Sequence, residues 1–452
     1  MLTKQDLFER IENAETKLVD VADIVFDKAK YSRKAGIDNN AVIDYSQNII
    51  GMPPIVITDT GDGDKKFYIV NGVHRYKAVQ KAEQKQIQAK IIQLPTEHIK
   101  FANLLCDIDT GVRHPTADKK SICIDYFDAF DVAKNQQIMA ELGVPEATYY
   151  AWTADIRKQK QKEINEAIAG DLLNPMMEQQ EIAERHGYKS KSKITDFKNN
   201  VSSKILNIRE IELETLQEEN LDFLEQYKVW VETKGNQMLF NIWNTPKATG
   251  DHFGHFPLVF MKNLLFYHTK PFDFVYDPFA GGGTTITACR EMYRKFYCTD
   301  RKPVGHMKDI ILQHDISDGF PDGLPKPDMV FLDPPYWKQA ENKYSEDPED
   351  LGNMTIEQFN DAMRGLLNLC ASKKIEKIAI VIQPTQFKND FVWQDHIFDF
   401  HDMLPRSKYE IEMRYILPYS TEQYNAQIVD KAKEKEKCLC LNRDLVVWRF
   451  KK

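Results

Sequence analysis

Asp277-Pro-Phe-Ala-Gly-Gly-Gly-Thr-Thr285 reads as a strand end, a glycine turn and a helix start. Phe274-Val-Tyr-Asp277 just before it has the β-branched and aromatic character of a buried strand. The three glycines let the backbone turn tightly and approach a ligand with no Cβ in the way. Thr284 and Thr285 open a helix running to about Tyr293, whose first amides would face a carboxylate or phosphate. Lys295-Phe-Tyr-Cys-Thr-Asp300 follows as a second strand ending in an acid, a spacing from Asp277 that suits a ribose diol. The GxGxxG fingerprint of dinucleotide enzymes and the lysine of a P-loop are both missing. Taken alone, the turn is equally well a plain strand–turn–helix corner. From about Asn236 onward strand and helix signals alternate, which predicts an α/β domain.

Asp328-Met-Val-Phe-Leu-Asp333 is a further buried strand, broken by Pro334, Pro335 and Tyr336. Proline donates no N–H, so the carbonyls at this strand end stay out of a hydrogen-bonded ladder. An exocyclic amine has two hydrogens and a lone pair delocalised into its ring. The Asp333 carboxylate and the Pro334 carbonyl could each accept one hydrogen, which frees the lone pair to attack an electrophilic methyl. Tyr336 would stack on the ring. The bland alternative is a loop stiffened by two prolines, with Asp333 as a helix cap. The glycine turn upstream favours the chemical reading.

The chain has 452 residues, enough for two or three domains each with its own core. No run of eighteen apolar residues is present, so no membrane span is expected, and the N-terminus lacks the apolar core of a signal peptide. Seven scattered cysteines without CxxC spacing argue for reduced thiols in a cytoplasm and against a metal or disulfide frame. A net charge of −8 forbids a uniformly basic surface, so an anionic polymer would need local patches. Such patches are present. Asn135 to Trp152 reads as two helices joined at Gly143, with Thr148 and Tyr149 on the second, and Arg157, Lys158, Lys160 and Lys162 follow. A weaker copy turns at Gly187, followed by Lys189, Lys191, Lys193 and Lys198. Helical hairpins with solvated lysines account for both copies without any ligand. Nearer the start, Pro54-Ile-Val-Ile-Thr58, Lys66-Phe-Tyr-Ile-Val70 and Ile87 to Ile92 read as strands, with a turn at Asp59 to Asp64. Asn71-Gly-Val-His-Arg-Tyr opens a helix in which His74 and Arg75 form an anion site or merely cap and pack.

Together, Asp277-Pro-Phe-Ala-Gly-Gly-Gly-Thr, Asp300, His314-Asp315-Ile and Asp333-Pro-Pro-Tyr resemble the S-adenosylmethionine-dependent DNA amino-methyltransferases. Asn241-Ile-Trp-Asn and His252-Phe-Gly-His-Phe-Pro257 with the apolar run after it resemble the helix that precedes the cofactor turn in that family. The resemblance implies S-adenosylmethionine as cofactor, held by Asp277, Phe279, Gly281, Gly283 and Thr284 at its methionine end. It puts Asp300 on the ribose, Asp315 near the adenine amine, and Phe256 and Pro257 on the carboxylate side. Asp333, Pro334, Pro335 and Tyr336 become the catalytic clamp on a base flipped out of double-stranded DNA. Aspartate at 333 leans toward adenine N6, with cytosine N4 the alternative. Asp333 comes only eighteen positions after Asp315 and little chain follows Phe450, so recognition is expected to fall to the N-terminal half, Lys338 to Asn353, or Tyr419 to Leu441.

Residues from about 17 to 93 resemble the ParB/sulfiredoxin-like fold. Valine at 73 excludes sulfiredoxin chemistry. Val73-His74-Arg75 stands where partition proteins carry Glu-Arg-Arg, so a nucleotide at His74 and Arg75 is the weaker expectation. The two helical pairs resemble helix-turn-helix units, which would set Thr148, Tyr149, Arg157, Lys158, Lys189, Lys191 and Lys193 against DNA. The expected organisation is multidomain. It comprises an α+β ParB-like domain over 1–96, an α-helical helix-turn-helix region over 97–203, a connecting helix over 204–235, and a Rossmann-like α/β methyltransferase domain over 236–452. The combination suggests a phage or mobile-element restriction–modification enzyme, compatible with a homodimer. A ParB-like DNA-binding regulator with an inactive methyltransferase domain, and methylation of RNA or protein glutamine, are the other classes.

Overall fold

The computed structural model describes residues 2–33, 36–59, 67–109, 116–244, 256–338, 346–386, 393–418 and 424–451. Residues 60–64 of the expected turn, His252 to His255, residues 339–345 after the Asp-Pro-Pro-Tyr motif and 419–423 of the second candidate recognition loop lie outside them. The chain divides into two compact units, Met1–Gln161 and Lys162–Lys452.

The first unit holds strands β1 (Thr16–Asp20), β2 (Ile24–Val25), β3 (Ile55–Asp59), β4 (Phe67–Asn71) and β5 (Gln86–Gln93), in the sheet order β1-β5-β3-β4-β2. Its helices are α1 (Lys4–Asn13), α2 (Asn39–Gln47), α3 (Val73–Lys81), α4 (Ile99–Asp109), α5 (Thr116–Tyr126), α6 (Val132–Leu142) and α7 (Glu146–Trp152), and α8 (Ala154–Asp171) spans the division. β3 is paired on both sides, and its Ile55, Val56, Ile57 and Thr58 are all buried. Gly72 starts α3 at φ +96°, and a Cβ there would lie 2.6 Å from Ile55 Cγ2, so glycine lets the helix sit against β3. α6 ends at Gly143 in the left-handed conformation, with the Val144 N–H donating back to Met139 O, and α7 follows after two residues.

The second unit begins with helices α9 (Gln179–Arg185), α10 (Ser192–Leu206), α11 (Leu213–Glu218) and α12 (Glu225–Glu232). A single connecting helix over 204–235 is therefore not what forms. The imperfect apolar period belongs to short segments, each turning Ile208, Leu216, Leu224, Tyr227 and Trp230 into one core with α13 (Leu258–His268). Nor are residues 241–244 helical: Ile242 bridges to Ile416, and Trp243 is buried with its ring 4.0 Å from Tyr415.

The α/β part carries β6 (Phe274–Asp277), α14 (Thr284–Met292), β7 (Lys295–Asp300), β8 (Leu312–Gln313), β9 (Met329–Leu332), α15 (Ile356–Ser372), β10 (Lys377–Ile382), a hairpin of β11 (Thr385–Gln386) and β12 (Trp393–Gln394), α16 (His396–Met403), β13 (Tyr409–Pro418), α17 (Ala426–Glu434) and β14 (Asn442–Phe450). Sheet order is β13-β14-β10-β9-β6-β7-β8, with β6 to β10 parallel and β14 antiparallel to both neighbours. One face packs Val275, Met329, Phe331, Ala379, Val381, Leu445 and Val447 against α13 and α14. The other packs Tyr276, Val330, Leu332, Ile380, Val446 and Trp448 against α15 and α16. The chain leaves β6 outward to β7 and β8, then returns to β9 on β6's other side. The crevice beyond the β6 and β9 carboxyl ends is thus a topological switch point, where ligands bind in open α/β sheets.

Candidate active site

Asp277 closes β6 at that switch point and is 2% exposed. Its Oδ1 accepts from the Phe279 N–H at 2.9 Å and its Oδ2 from the Thr285 hydroxyl at 2.5 Å, so one carboxylate holds both ends of the glycine turn. Burial pushes its carboxyl up to about 7, and the charges of Asp333 and Asp300 add to the effect. Gly281 has φ +50°, and a Cβ there would meet only the Phe279 carbonyl oxygen, at 4.0 Å, which leaves room for a ligand to approach. Gly283 differs: at φ +87° its Cβ would lie 2.7 Å from Met307 Cβ, so this glycine serves internal packing. It precedes α14, whose first residue is the half-buried Thr284. Phe279 packs on the α15-side core.

Asp300 ends β7. Its Oδ2 accepts from Gly281 N–H at 2.8 Å and its Oδ1 from Lys302 N–H at 2.7 Å. Burial raises its carboxyl above the usual range. Asp315, just past β8, is tied to Ser317 and lies 3.2 Å from the Arg301 Nε. Arg301 also holds Asp347 in the segment after the proline motif. This arginine escaped the sequence reading, which took the strand-end acids and passed over the cation beside them.

Asp333 follows β9 directly and is half-buried. Burial pushes its carboxyl up to about 7, opposed by the nearby Arg443 guanidinium and by a hydrogen bond from the Tyr336 hydroxyl. Tyr336 packs against the α15-side core, so in this state its ring belongs to that core and its hydroxyl to Asp333. Pro334 is buried and Pro335 half-buried. The backbone after the motif is pinned from behind. Thr385 Oγ1 donates to Trp337 O at 3.0 Å and lies 2.9 Å from His396 Nε2, while Trp337 Nε1 donates to Met354 O. A hydroxyl that donates to a carbonyl must accept from the imidazole, so His396 carries its proton on Nε2. It is fully buried, and burial pushes its pKa down to about 4.

Strand alternation assigns the faces. Asp277 continues Val275, and Asp333 continues Phe331, on the α13 side of the sheet. Gln383 continues Val381 there, and Arg443 precedes Leu445. Phe256 and Pro257, both buried, lead into α13 above them. The Phe256 ring lies 5.4 Å from Phe331 and 5.5 Å from the Arg443 guanidinium. Arg443 and Gln383 carry no motif signal in the sequence. β14 runs antiparallel, so its first residues reach the carboxyl edge of the parallel strands, which only the topology reveals. A separate cavity of about 640 Å³, lined by Leu173, Met176, Phe223, Arg290 and Tyr293 among others, contains none of these strand-edge groups.

At two of the expected sites the side chains are already engaged within the chain. Tyr149 is fully buried, its hydroxyl donating to Asn135 Oδ1 at 2.8 Å, so it is a core residue and faces no groove. Arg75 donates to Pro53 O, Pro54 O and Asn71 Oδ1, each at 2.7 Å, and His74 Nε2 accepts from Asp38 N–H. The pair therefore caps and packs, and its polar capacity is directed at the chain itself. Thr148 is half-buried, while Arg157, Lys158, Lys189, Lys191 and Lys193 are exposed. Arg157 stacks on Tyr150, its guanidinium 5.0 Å from the ring centre.

A glycine turn and a row of strand-end acids, Asp277 buried and Asp300, Asp315 and Asp333 half-buried, at the switch point of a seven-stranded, mostly parallel sheet form a methyltransferase-type α/β domain. The chain belongs to the DNA methylase family N6_N4_Mtase, which matches residues 76–307, about half of its length. That match includes the Asp277–Thr285 turn and Asp300 and stops before Asp333. The ParB N-terminal domain family matches residues 9–106. Over 64 residues the chain is 34% identical to the Type II methyltransferase M.Cfr9I of Citrobacter freundii, which is 14% of this chain and 21% of that protein. The chain thus spans about a fifth of that curated relative's length. Among solved structures it is similar to a truncated chromosome-partitioning protein ParB from Caulobacter crescentus complexed with CTP-gamma-S (14% identity, 48% of this chain, 99% of that one, TM-score 0.19). It is also similar to a SAM-dependent methyltransferase from Archaeoglobus fulgidus (14% identity, 43% and 93%, TM-score 0.24). At these scores the structural likenesses carry no argument. No described helix is long and apolar enough to cross a membrane.

Proposed function

We propose that this chain transfers a methyl group from S-adenosylmethionine to the N6 amine of an adenine flipped out of duplex DNA. The observation that carries the reading is the pair of carboxylates on adjoining strands, Asp277 on β6 and Asp333 after β9, facing one crevice and both raised to about 7. Two acids at that level, one buried and one half-buried, are poised for a cationic, hydrogen-bond-donating occupant, and the named cofactor fits them. Phe279, Gly281 and Thr284 would border its methionine part, with Phe256 and Pro257 on the other side. Asp300 and Asp315 would take the ribose and adenine ends, and Asp300 keeps lone pairs beyond its two backbone bonds. When bound, this cofactor supplies an electrophilic methyl on a sulfonium.

The chain's own part is position and electrostatics. Asp333 and the Pro334 carbonyl accept the two amine hydrogens and localise the lone pair. Arg443 favours the ionised form of Asp333, the form that accepts most strongly. Tyr336 would leave Asp333 to stack on the base. With the cofactor held there, the amine nitrogen would take the methyl from its sulfonium, and the surplus amine proton would pass to solvent. Aspartate at 333 supports adenine over cytosine N4. Exposed Lys189, Lys191, Lys193, Arg157 and Lys158 would contact phosphates, with Thr148 at the duplex.

Calorimetric titration with S-adenosylmethionine tests this reading. Saturable binding below roughly millimolar is expected, and none at that level would remove the enzyme reading in favour of a ParB-like DNA-binding regulator.

A further inference from the structure

Gln383 is a polar side chain in an apolar setting with no assigned task. It is 5% exposed, and among the described residues nothing hydrogen-bonds its carboxamide. Its amide atoms are not sealed from solvent, so the carboxamide is open to a partner that arrives from outside. Topology says where the partner would sit. Ile380 pairs with Leu332, so the next residue, Val381, flanks Asp333, and Gln383 lies one pleat nearer the open edge on the same face. Strand geometry puts its Cα about 8 Å from that of Asp333. On its other side, the last registered pair is Ile382 with Asp444, and one step beyond it Gln383 meets Arg443.

The neighbours limit what the amide can do. Asp277 and Asp333 offer acceptors once ionised, and the Pro334 carbonyl offers another. Arg443 is a donor, but its guanidinium lies over the Phe256 ring. A base held by its amine on Asp333 and Pro334 still presents the ring nitrogen next to that amine, an acceptor in need of a donor. The Gln383 N–H is an uncharged donor on the same face, one pleat outward.

We propose that Gln383 is a base-reading residue, its carboxamide donating to the ring nitrogen adjacent to the methylated amine (N1 of adenine, N3 of cytosine). The inference rests on the methyl-transfer reading above and adds a specificity determinant to it. A base with a protonated ring nitrogen and a carbonyl in place of the amine, as in guanine or thymine, would leave the N–H facing a hydrogen. Discrimination therefore comes from an unpaired buried group rather than from a clash.

The test is a double-substitution cycle in single-turnover methyl transfer with the full chain. The DNA is a duplex carrying the target mapped by modified-base sequencing. Its target base is natural or the deaza analogue whose ring nitrogen is C–H (1-deazaadenine, or 3-deazacytosine if cytosine is the mapped base). Gln383→Met keeps the shape and removes the donor. Gln383→Glu, with no N–H when ionised, guards against a packing defect peculiar to methionine. Each change alone is expected to slow transfer about 10- to 100-fold, and both together no further, with cofactor affinity unchanged within about threefold. Multiplying losses would overturn the proposal. So would a parallel loss of cofactor affinity, which would put the amide on the cofactor instead. Absence of transfer by the unmodified chain on any duplex would overturn the methyl-transfer reading itself, and this inference with it.

Discussion

Replacing Arg443 by methionine separates an electrostatic role from a packing role at the strand edge. Arg443 is 7% exposed, lies over Phe256, and pulls the Asp333 carboxyl down against the upward push of burial. With the arginine present that carboxyl sits at about 7. A cation about 6–10 Å from a carboxylate, at an effective dielectric constant near 20, is worth about 1.7–2.8 kcal/mol, or roughly one to two pKa units. In Arg443→Met the Asp333 step therefore moves to about 8–9. The assay is kcat/KM for the cofactor from pH 5.5 to 9.5, which reports groups in the enzyme before the cofactor binds. The unaltered chain should show an acid limb bending near 7, with Asp277 and Asp333 titrating as a coupled pair. The variant should keep about a tenth of the activity at neutral pH and recover most of it at the alkaline end. A uniform loss at every pH would reduce Arg443 to a packing residue. An unmoved inflection would refute the claim that it holds Asp333 as a carboxylate.

Gly283→Ala places a Cβ 2.7 Å from Met307 Cβ at a φ of +87°. It should lower stability by about 1–3 kcal/mol in denaturant unfolding and weaken cofactor binding, whereas Gly281→Ala should meet no packing clash, cost only the backbone strain of its φ of +50°, about 1 kcal/mol, and act mainly on cofactor affinity. His396 is held neutral, its pKa down at about 4 by burial. Its contribution to stability is full above about 6.5 and is lost as pH falls toward 4, by up to roughly 3 kcal/mol. The raised Asp277 and Asp333 act oppositely, adding stability as pH falls below about 7. The measurement is therefore the pH 7 to pH 5 difference relative to His396→Gln, which should lack the histidine part. Lys191→Ala with Lys193→Ala should weaken duplex binding without regard to sequence and reduce the salt slope by about two. Tyr149→Phe, a core change, should cost about 1 kcal/mol of stability and leave that slope alone.

The glycine turn, the acids at 277, 300 and 315, and the proline-broken strand were legible because each is a local signal, a strand end beside a backbone that must turn. The α+β character of the first unit was legible for the same reason. Gln383 and Arg443 were not. Their places beside the Asp333 strand end follow from the antiparallel placement of β14 and the pairing of β10 with β9, which no local window contains. The short helices between Leu206 and Glu232 look like one helix in sequence because their buried residues share one core, and only their breaks reveal it. Tyr149 as a groove residue, and the choice between capping and anion binding at Arg75, were not decidable for a related reason. An aromatic hydroxyl or guanidinium near a helix start looks available until its partners, Asn135 and the Pro53 and Pro54 carbonyls, are seen.

The central claim is that Asp333 to Tyr336 forms the clamp that makes a base amine nucleophilic. Its most direct test is mass spectrometry of nucleosides, with modified-base sequencing, on DNA from cells expressing the chain or its Asp333→Ala variant. The account predicts N6-methyladenine at one sequence motif with the unaltered chain and none with the variant, although the variant still binds S-adenosylmethionine. N4-methylcytosine instead would contradict the choice of base alone. Undiminished methylation by Asp333→Ala, or no modified base with the unaltered chain, would contradict the clamp.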